Sequence, residues 1–261
     1  MKISIIGAGN VATVLGRLLK HKNFIIEQIV SRNKMHAEKL AQELNADAIE
    51  NIQSLSSNSD VYIIAVNDDA VEMVSNQLRT DKKIVVHTCG SASIDVLKNT
   101  SKNVGVLYPL QSLRKEIPYL PTIPFLIDAN NDYSKGIISE LAKSLSDNIT
   151  EANDEQRMQY HLSAVITSNF TNHLLSLTDE YCTINKIKFS QLLPLMQEVI
   201  NRIHLFHPAQ MQTGPAVRND ISTIEKHLAL LKDFPQLKNI YEMMSKSISR
   251  FTIDDSGQGN K

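Results

Sequence analysis

Residues 7–12 constrain this chain most. They read Gly7-Ala8-Gly9-Asn10-Val11-Ala12 and follow directly on the apolar run Ile3-Ser4-Ile5-Ile6. An apolar run that stops at two glycines and resumes at helical spacing (Val11, Val14, Leu15, Leu18) predicts a strand, a tight turn and a helix. Gly7 permits the turn. Gly9 lacks a Cβ, so a phosphate can approach the backbone, and Ala12 still lets the helix pack close to the strand. The N–H groups of Asn10 and Val11 have no acceptor within the helix and point at the same place as the positive end of its dipole. The expectation is a dinucleotide-binding turn, although a plain glycine-rich strand-to-helix turn shares the same local sequence.

The rest of the first half repeats this alternation. Apolar runs at 2–6, 24–30, 60–66, 83–87, 103–107 and 125–128 predict strands, and helical patterns fall at 10–20, 34–44, 69–78 and 134–145. Strands separated by helices of this length argue for a parallel, doubly wound sheet. Pro118, Pro121 and Pro124 mark a loop at 117–125. From Asp154 the pattern turns wholly helical. Leu162, Val165, Ile166, Phe170, Leu174, Leu177 and Tyr181 follow helical spacing for about 30 residues. Further helices are expected at 191–205, with Pro194 in the first turn, from a Ser222/Glu225 capping box into 227–231, and from Asp233 and Pro235 onward. The fold class is therefore α/β: a Rossmann-type doubly wound sheet at 1–152, an all-α domain at 153–253, and a polar, disordered tail at 254–261.

Bulk properties exclude several functions. A formal net charge of −1 offers nothing to nucleic acid, and no run approaches the roughly 18 apolar residues of a membrane span. Two isolated cysteines, Cys89 and Cys182, suit a reducing cytoplasm better than a disulfide framework. His204 and His207 have a metal-compatible spacing but no accompanying acid or cysteine, so no metal is expected.

Ser31-Arg32-Asn33 follows the second strand, where NAD-binding domains usually place an acid for the ribose hydroxyls. Arg32 would pair with a 2′-phosphate, and Ser31 and Asn33 can donate hydrogen bonds to it. NADP is therefore the expected cofactor. Ala65, Val66 and Asn67, and Thr88 within His87-Thr88-Cys89-Gly90-Ser91, should meet it at the carboxyl edge of the sheet.

Hydride transfer to C=O or C=N also needs a proton donor. On the long helix His161, Asn169 and His173 lie at multiples of four, with Asn169 suited to orient a carbonyl and either histidine to supply the proton. His87 is a rival acid at a strand end. Gln111, Ser112, Thr213 and Arg218 are candidate substrate contacts, Arg218 as a bidentate carboxylate clamp. Each of these has a plain structural alternative: a core or interface histidine, a rigid interhelical turn at 213–220, or a capping arginine.

With GAGNVA at 7–12, SRN at 31–33, AVNDDAV at 65–71, HTCGS at 87–91, YPLQSL at 108–113, SNF at 168–170 and TGPAVRND at 213–220, the chain resembles a bacterial family of NADP oxidoreductases with a helical C-terminal domain of unassigned function. That family is related to ketopantoate reductase, pyrroline-5-carboxylate reductase and the 3-hydroxyacid dehydrogenases. The resemblance implies a helical domain that helps form a homodimer and closes the substrate cleft; it supplies no known substrate, and the expected activity is an NADP-dependent oxidoreductase acting on a small polar metabolite. It also implies a difference. The 3-hydroxyacid dehydrogenases carry a lysine four residues before the helix asparagine; here that position is Val165. A non-catalytic NADP(H)-binding sensor or scaffold therefore stands as the alternative, and an imine reductase as a third reading.

Overall fold

The computed structural model describes residues 1–257. The chain packs as two units, Met1–Ser168 and a second beginning at Asn169.

The first unit is built on β1 (Lys2–Ile6), β2 (Ile25–Val30), β3 (Asp47–Ile49), β4 (Val61–Ile64), β5 (Asp81–His87), β6 (Ser101–Pro109), β7 (Phe125–Ala129) and β8 (Ile149–Glu151). They form one sheet in the order β3-β2-β1-β4-β5-β6-β7-β8. Every neighbouring pair is parallel except β6 with β7, which corrects the expectation of a wholly parallel sheet. Strands β3 and β8 have three residues each, too short to show a period in the sequence.

Alternation along the strands sends side chains to two cores. Ile3, Ile5, Val61 and Ile63 lie on one face beneath α1 (Asn10–His21), α2 (Lys34–Leu44) and α4 (Asp132–Leu145). Ile6, Tyr62, Ile64 and Val85 lie on the other, beneath α3 (Val71–Gln77). Each such fully buried aliphatic side chain contributes about 1.5–3 kcal/mol, which is why central strands buried on both faces read as continuous apolar runs.

The long helix expected from Asp154 is three consecutive segments: α5 (Asp154–Ala164), a π-helical stretch over Val165–Phe170, and α6 (Thr171–Ile184). A capping box opens α5, with the Asn153 side chain accepting from Gln156 N–H and the Gln156 side chain accepting from Asn153 N–H. Helix α5 is tied to the first unit through Asp154 and Arg157, and the two compact units divide after Ser168.

The second unit continues with α7 (Leu193–Ile203), α8 (Ile221–Leu230) and α9 (Pro235–Gly257). Pro194 sits in the first turn of α7, as expected. The cap of α8 is Asp220, whose carboxylate accepts from Thr223 N–H, and not the Ser222/Glu225 box. Tyr181 and Phe234 meet edge to face, with centroids 4.9 Å apart. Of the tail expected to be disordered, 254–257 continue α9, and 258–261 lie outside the described residues.

Candidate functional site

The strand order reverses at β1, whose neighbours are β2 on one side and β4 on the other. In an open α/β sheet the crevice beyond the strand ends at such a point is where ligands bind. A cavity of about 460 Å³ lies there. Gly7, Ala8 and Gly9 form one wall, Ser31, Arg32 and Asn33 a second, and Ala65, Val66 and Asn67 a third. These nine expected contacts converge on one space.

Backbone geometry explains the glycines. Gly7 has φ +131°, and a Cβ there would collide with the Ala65 carbonyl. Gly9 caps α1 with no side-chain hydrogen bond, and a Cβ built on it meets nothing within 4 Å. The first N–H groups of α1 therefore open onto unfilled space, which is the cradle a pyrophosphate requires.

Several of the expected contacts also have partners within the protein. Asn33 is committed as the N-cap of α2: its Oδ1 accepts from His36 N–H at 3.1 Å, and its own N–H donates to Ser31 Oγ. Asn10 Oδ1 accepts from Lys115 N–H, and Val11 is half-buried against the core. Thr88 is buried, its hydroxyl donating to the Ile64 carbonyl, and does not line the cavity. Sequence reading missed Glu50, which lines the cavity 3.1 Å from Lys34 Nζ. Nothing local in Glu50 marks it, since β3 brings it there.

Beside this cavity, at the carboxyl ends of β4, β5 and β6, stands a second group of polar side chains. The Asp68 carboxylate accepts from Ser91 N–H and from the Ser91 hydroxyl. Burial opposes its charge, but hydrogen bonds from Ser91 and Cys89 hold Asp68 below the usual carboxylate range. Tyr108 Oη lies 2.9 Å from His161 Nδ1. Burial first, and then the Asp68 charge, push the Tyr108 phenol up to about 12. The Cys89 thiol is raised by the same two causes, and its Sγ donates to the Val66 carbonyl.

His87 is wholly buried. Its Nδ1 accepts from Cys89 N–H, and burial, reinforced by Arg157, pushes it down to about 4. It sits in the interior and not on the cavity wall. Arg157 on α5 is 1% exposed, and its Nη2 donates to the Ala92 carbonyl and to Asp154.

Gln111 donates to the Thr122 carbonyl, and the Ser112 hydroxyl meets that of Ser168 at 2.6 Å. Asn169, His173, Thr213 and Arg218 are exposed in the second unit. The π-helical stretch changes the rotation per residue, so His161, Asn169 and His173 do not follow one simple i, i+4 row. Among the described residues no group of three His, Cys, Asp or Glu is placed to hold a metal, and no helix is long and apolar enough to cross a membrane.

Comparison with known proteins gives this geometry a family. Residues 2–89 match the model described as "NADP oxidoreductase coenzyme F420-dependent", and residues 123–248 match a domain of unknown function, DUF2520. A candidate NADP oxidoreductase from Bacteroides fragilis is 34% identical, with 95% of this chain and 98% of that chain covered and a TM-score of 0.89. The chain belongs to that family. Its cofactor is NADP, and the glycine turn and the Arg32 wall fit it. More distant proteins share the fold. A 1-pyrroline-5-carboxylate reductase from Streptococcus pyogenes is 14% identical over 96% of this chain and 98% of that one, with a TM-score of 0.62. A reductive aminase from Aspergillus terreus, in complex with NADPH and ethyl-5-oxohexanoate, is 12% identical over 96% and 97%, with a TM-score of 0.70. No curated protein matches the chain.

Proposed function

We propose that this NADP oxidoreductase transfers a hydride between the nicotinamide and a C=O or C=N carbon of a small polar metabolite. The observation that carries the reading is a single cavity whose walls are the open N-terminus of α1, the Ser31–Arg32 pair and Asn67, the residue next in the chain to Asp68. The N–H groups after Gly9 would hold the pyrophosphate, and Arg32 the 2′-phosphate. Bound NADPH supplies the hydride. The chain must orient the acceptor and deliver a proton, and Gln111 and Ser112 are the polar side chains we assign to orientation. Free Cys89 and Cys182 suit a reducing cytoplasm. We further infer a homodimer through the second unit, where α7 presents Leu195, Val199 and Ile203 to solvent.

Titration of the purified protein with NADPH and NADH, beside Arg32→Ala, tests the cofactor half. Loss of one charge-assisted contact to the 2′-phosphate removes about 1.5–3 kcal/mol, so NADPH affinity should fall roughly 10- to 100-fold. NADH affinity should hardly move. Equal loss for both cofactors would sink the assignment of Arg32. Tight NADPH binding without turnover of any carbonyl or imine would favour a sensor, the reading that Val165 in place of a lysine keeps open.

A further inference from the structure

We propose that His161 is the proton donor of this oxidoreductase and that Tyr108 is its positioning residue, the pair serving a hydride acceptor whose heteroatom gains a proton. The proposal rests on the oxidoreductase reading above. Four independent features of the first unit converge on it.

The pair is fixed in space. Tyr108 is the last residue but one of β6, with its hydroxyl 2.9 Å from His161 Nδ1 and the two rings edge to face at 67°. Next, Gly90 leaves the histidine its room: a Cβ there would lie 2.6 Å from His161 Nδ1 and 3.0 Å from Tyr108 Cζ, so a side chain at 90 would displace the ring. Helix α5 is also locked. Arg157, one turn before His161 and on the same face, is buried and tied to the Ala92 carbonyl and Asp154, while Asp154 also accepts from Ile94 N–H. Finally, His161 is half-buried while His87 and Cys89 are buried, so of these three groups His161 alone is partly open to solvent.

The chemistry follows from the commitment of Nδ1. Burial keeps the Tyr108 phenol protonated at any physiological pH. A phenol that donates to Nδ1 leaves the ring proton on Nε2, which makes no hydrogen bond among the described residues. The Asp68 carboxylate also lies close to His161. In the reducing direction the acceptor carbon gains the hydride and its π pair moves to oxygen or nitrogen. That atom takes the Nε2 proton while Nδ1 takes the Tyr108 phenol proton, so the ring stays neutral: the Nε2–H and Oη–H bonds break as the product O–H or N–H bond and the Nδ1–H bond form. The dihydronicotinamide is oxidised and the acceptor reduced. The Tyr108 oxygen regains its proton from solvent, and the ring proton returns to Nε2.

The test uses the intact protein, Tyr108→Phe and His161→Gln. NADPH fluorescence titration comes first, and both variants should bind within twofold of wild type. Nitrogen-15 NMR of the histidine rings, with the protein saturated with NADP⁺ at pH 8, should show His161 protonated at Nε2, and Tyr108→Phe should lose that single tautomer. NADPH oxidation is then followed with 1-pyrroline-5-carboxylate, 1-pyrroline and short 2-oxo acids. A lost general acid predicts a kcat fall of about 100-fold or more in His161→Gln. Tyr108→Phe should lose about 10-fold in kcat with KM little changed, and should shift the pH profile of kcat. Asp68 and Tyr108 are the titratable groups facing His161, with Cys89 and Arg157 behind Tyr108, so Tyr108→Phe alters that profile without removing a charge. Full activity of His161→Gln, or an Nδ1-protonated ring in wild type, overturns the pair and leaves the oxidoreductase standing. A wild type that binds NADPH and reduces no probe overturns the oxidoreductase reading, and the proton donor with it.

Discussion

Gly7 and His87 show how differently two residues of one sheet edge carry information. Gly7 is held at φ +131° against the Ala65 carbonyl, so its identity follows from backbone geometry alone. His87 looked like an accessible acid because it ends β5, yet it is 0% exposed. Its burial has a thermodynamic consequence. The folded-state pKa is depressed from 6.5 to about 4, so above 6.5 both states are neutral and the folded state loses nothing. As pH falls from 6.5 towards 4 the unfolded chain takes up the proton first, and roughly 3 kcal/mol of stability is lost across that window. His87→Asn keeps an acceptor for Cys89 N–H but does not titrate. Urea midpoints at pH 7 and pH 4.5 should therefore differ less in the variant than in wild type. Identical pH slopes in the two proteins would show that His87 takes up its proton as readily in the fold as in the unfolded chain.

Helix α5 is the element whose placement matters most to the chemistry, because it carries His161. Its N-terminus is specified locally by the Asn153/Gln156 capping box and by Asp154 and Glu155 in the first turn. Its attachment is not local. Arg157 is buried with Nε and Nη1 unpartnered, and Asp154 supplies its compensating charge. Removing one partner of a buried pair leaves an uncompensated ion, so Asp154→Ala should destabilise the protein by about 3 kcal/mol. The double variant Asp154→Ala/Arg157→Met, with no ion left to bury, should recover at least half of that loss in the same urea denaturation. A silent Asp154→Ala would mean that Arg157 is solvated in solution.

At the scale of the whole molecule, the two units differ in how they are stabilised. The first unit surrounds its sheet with two large buried cores and a smaller third around Val106, Tyr108 and Leu126. In the second, Cys182, Ala216 and Leu231 are the buried residues among those described. Leu193, Leu195, Val199, Ile200, Ile203 and Phe206 are each at least 44% exposed. The homodimer proposed above would cover this apolar face. Light scattering should give twice the mass of one chain, and Val199→Asp should shift the population to monomer. A monomeric wild type at micromolar concentration would refute the homodimer.

Sequence alone determined what depends on neighbours in the chain: the glycine turn, the Ser31-Arg32-Asn33 segment after β2, the apolar strands, the change to helix at Asp154, and Pro194 in its first turn. Each rests on backbone sterics or a short period, and both act over a few residues. Tertiary structure decided the rest. Only sheet pairing brings β3, with Glu50 after it, to the cavity wall, turns β7 antiparallel to β6, and sets Tyr108 and Gly90 against a histidine 53 residues from Tyr108. It also buried His87 and Thr88, because the depth of a side chain depends on which elements cover it, and that is fixed by long-range packing rather than by the residues on either side.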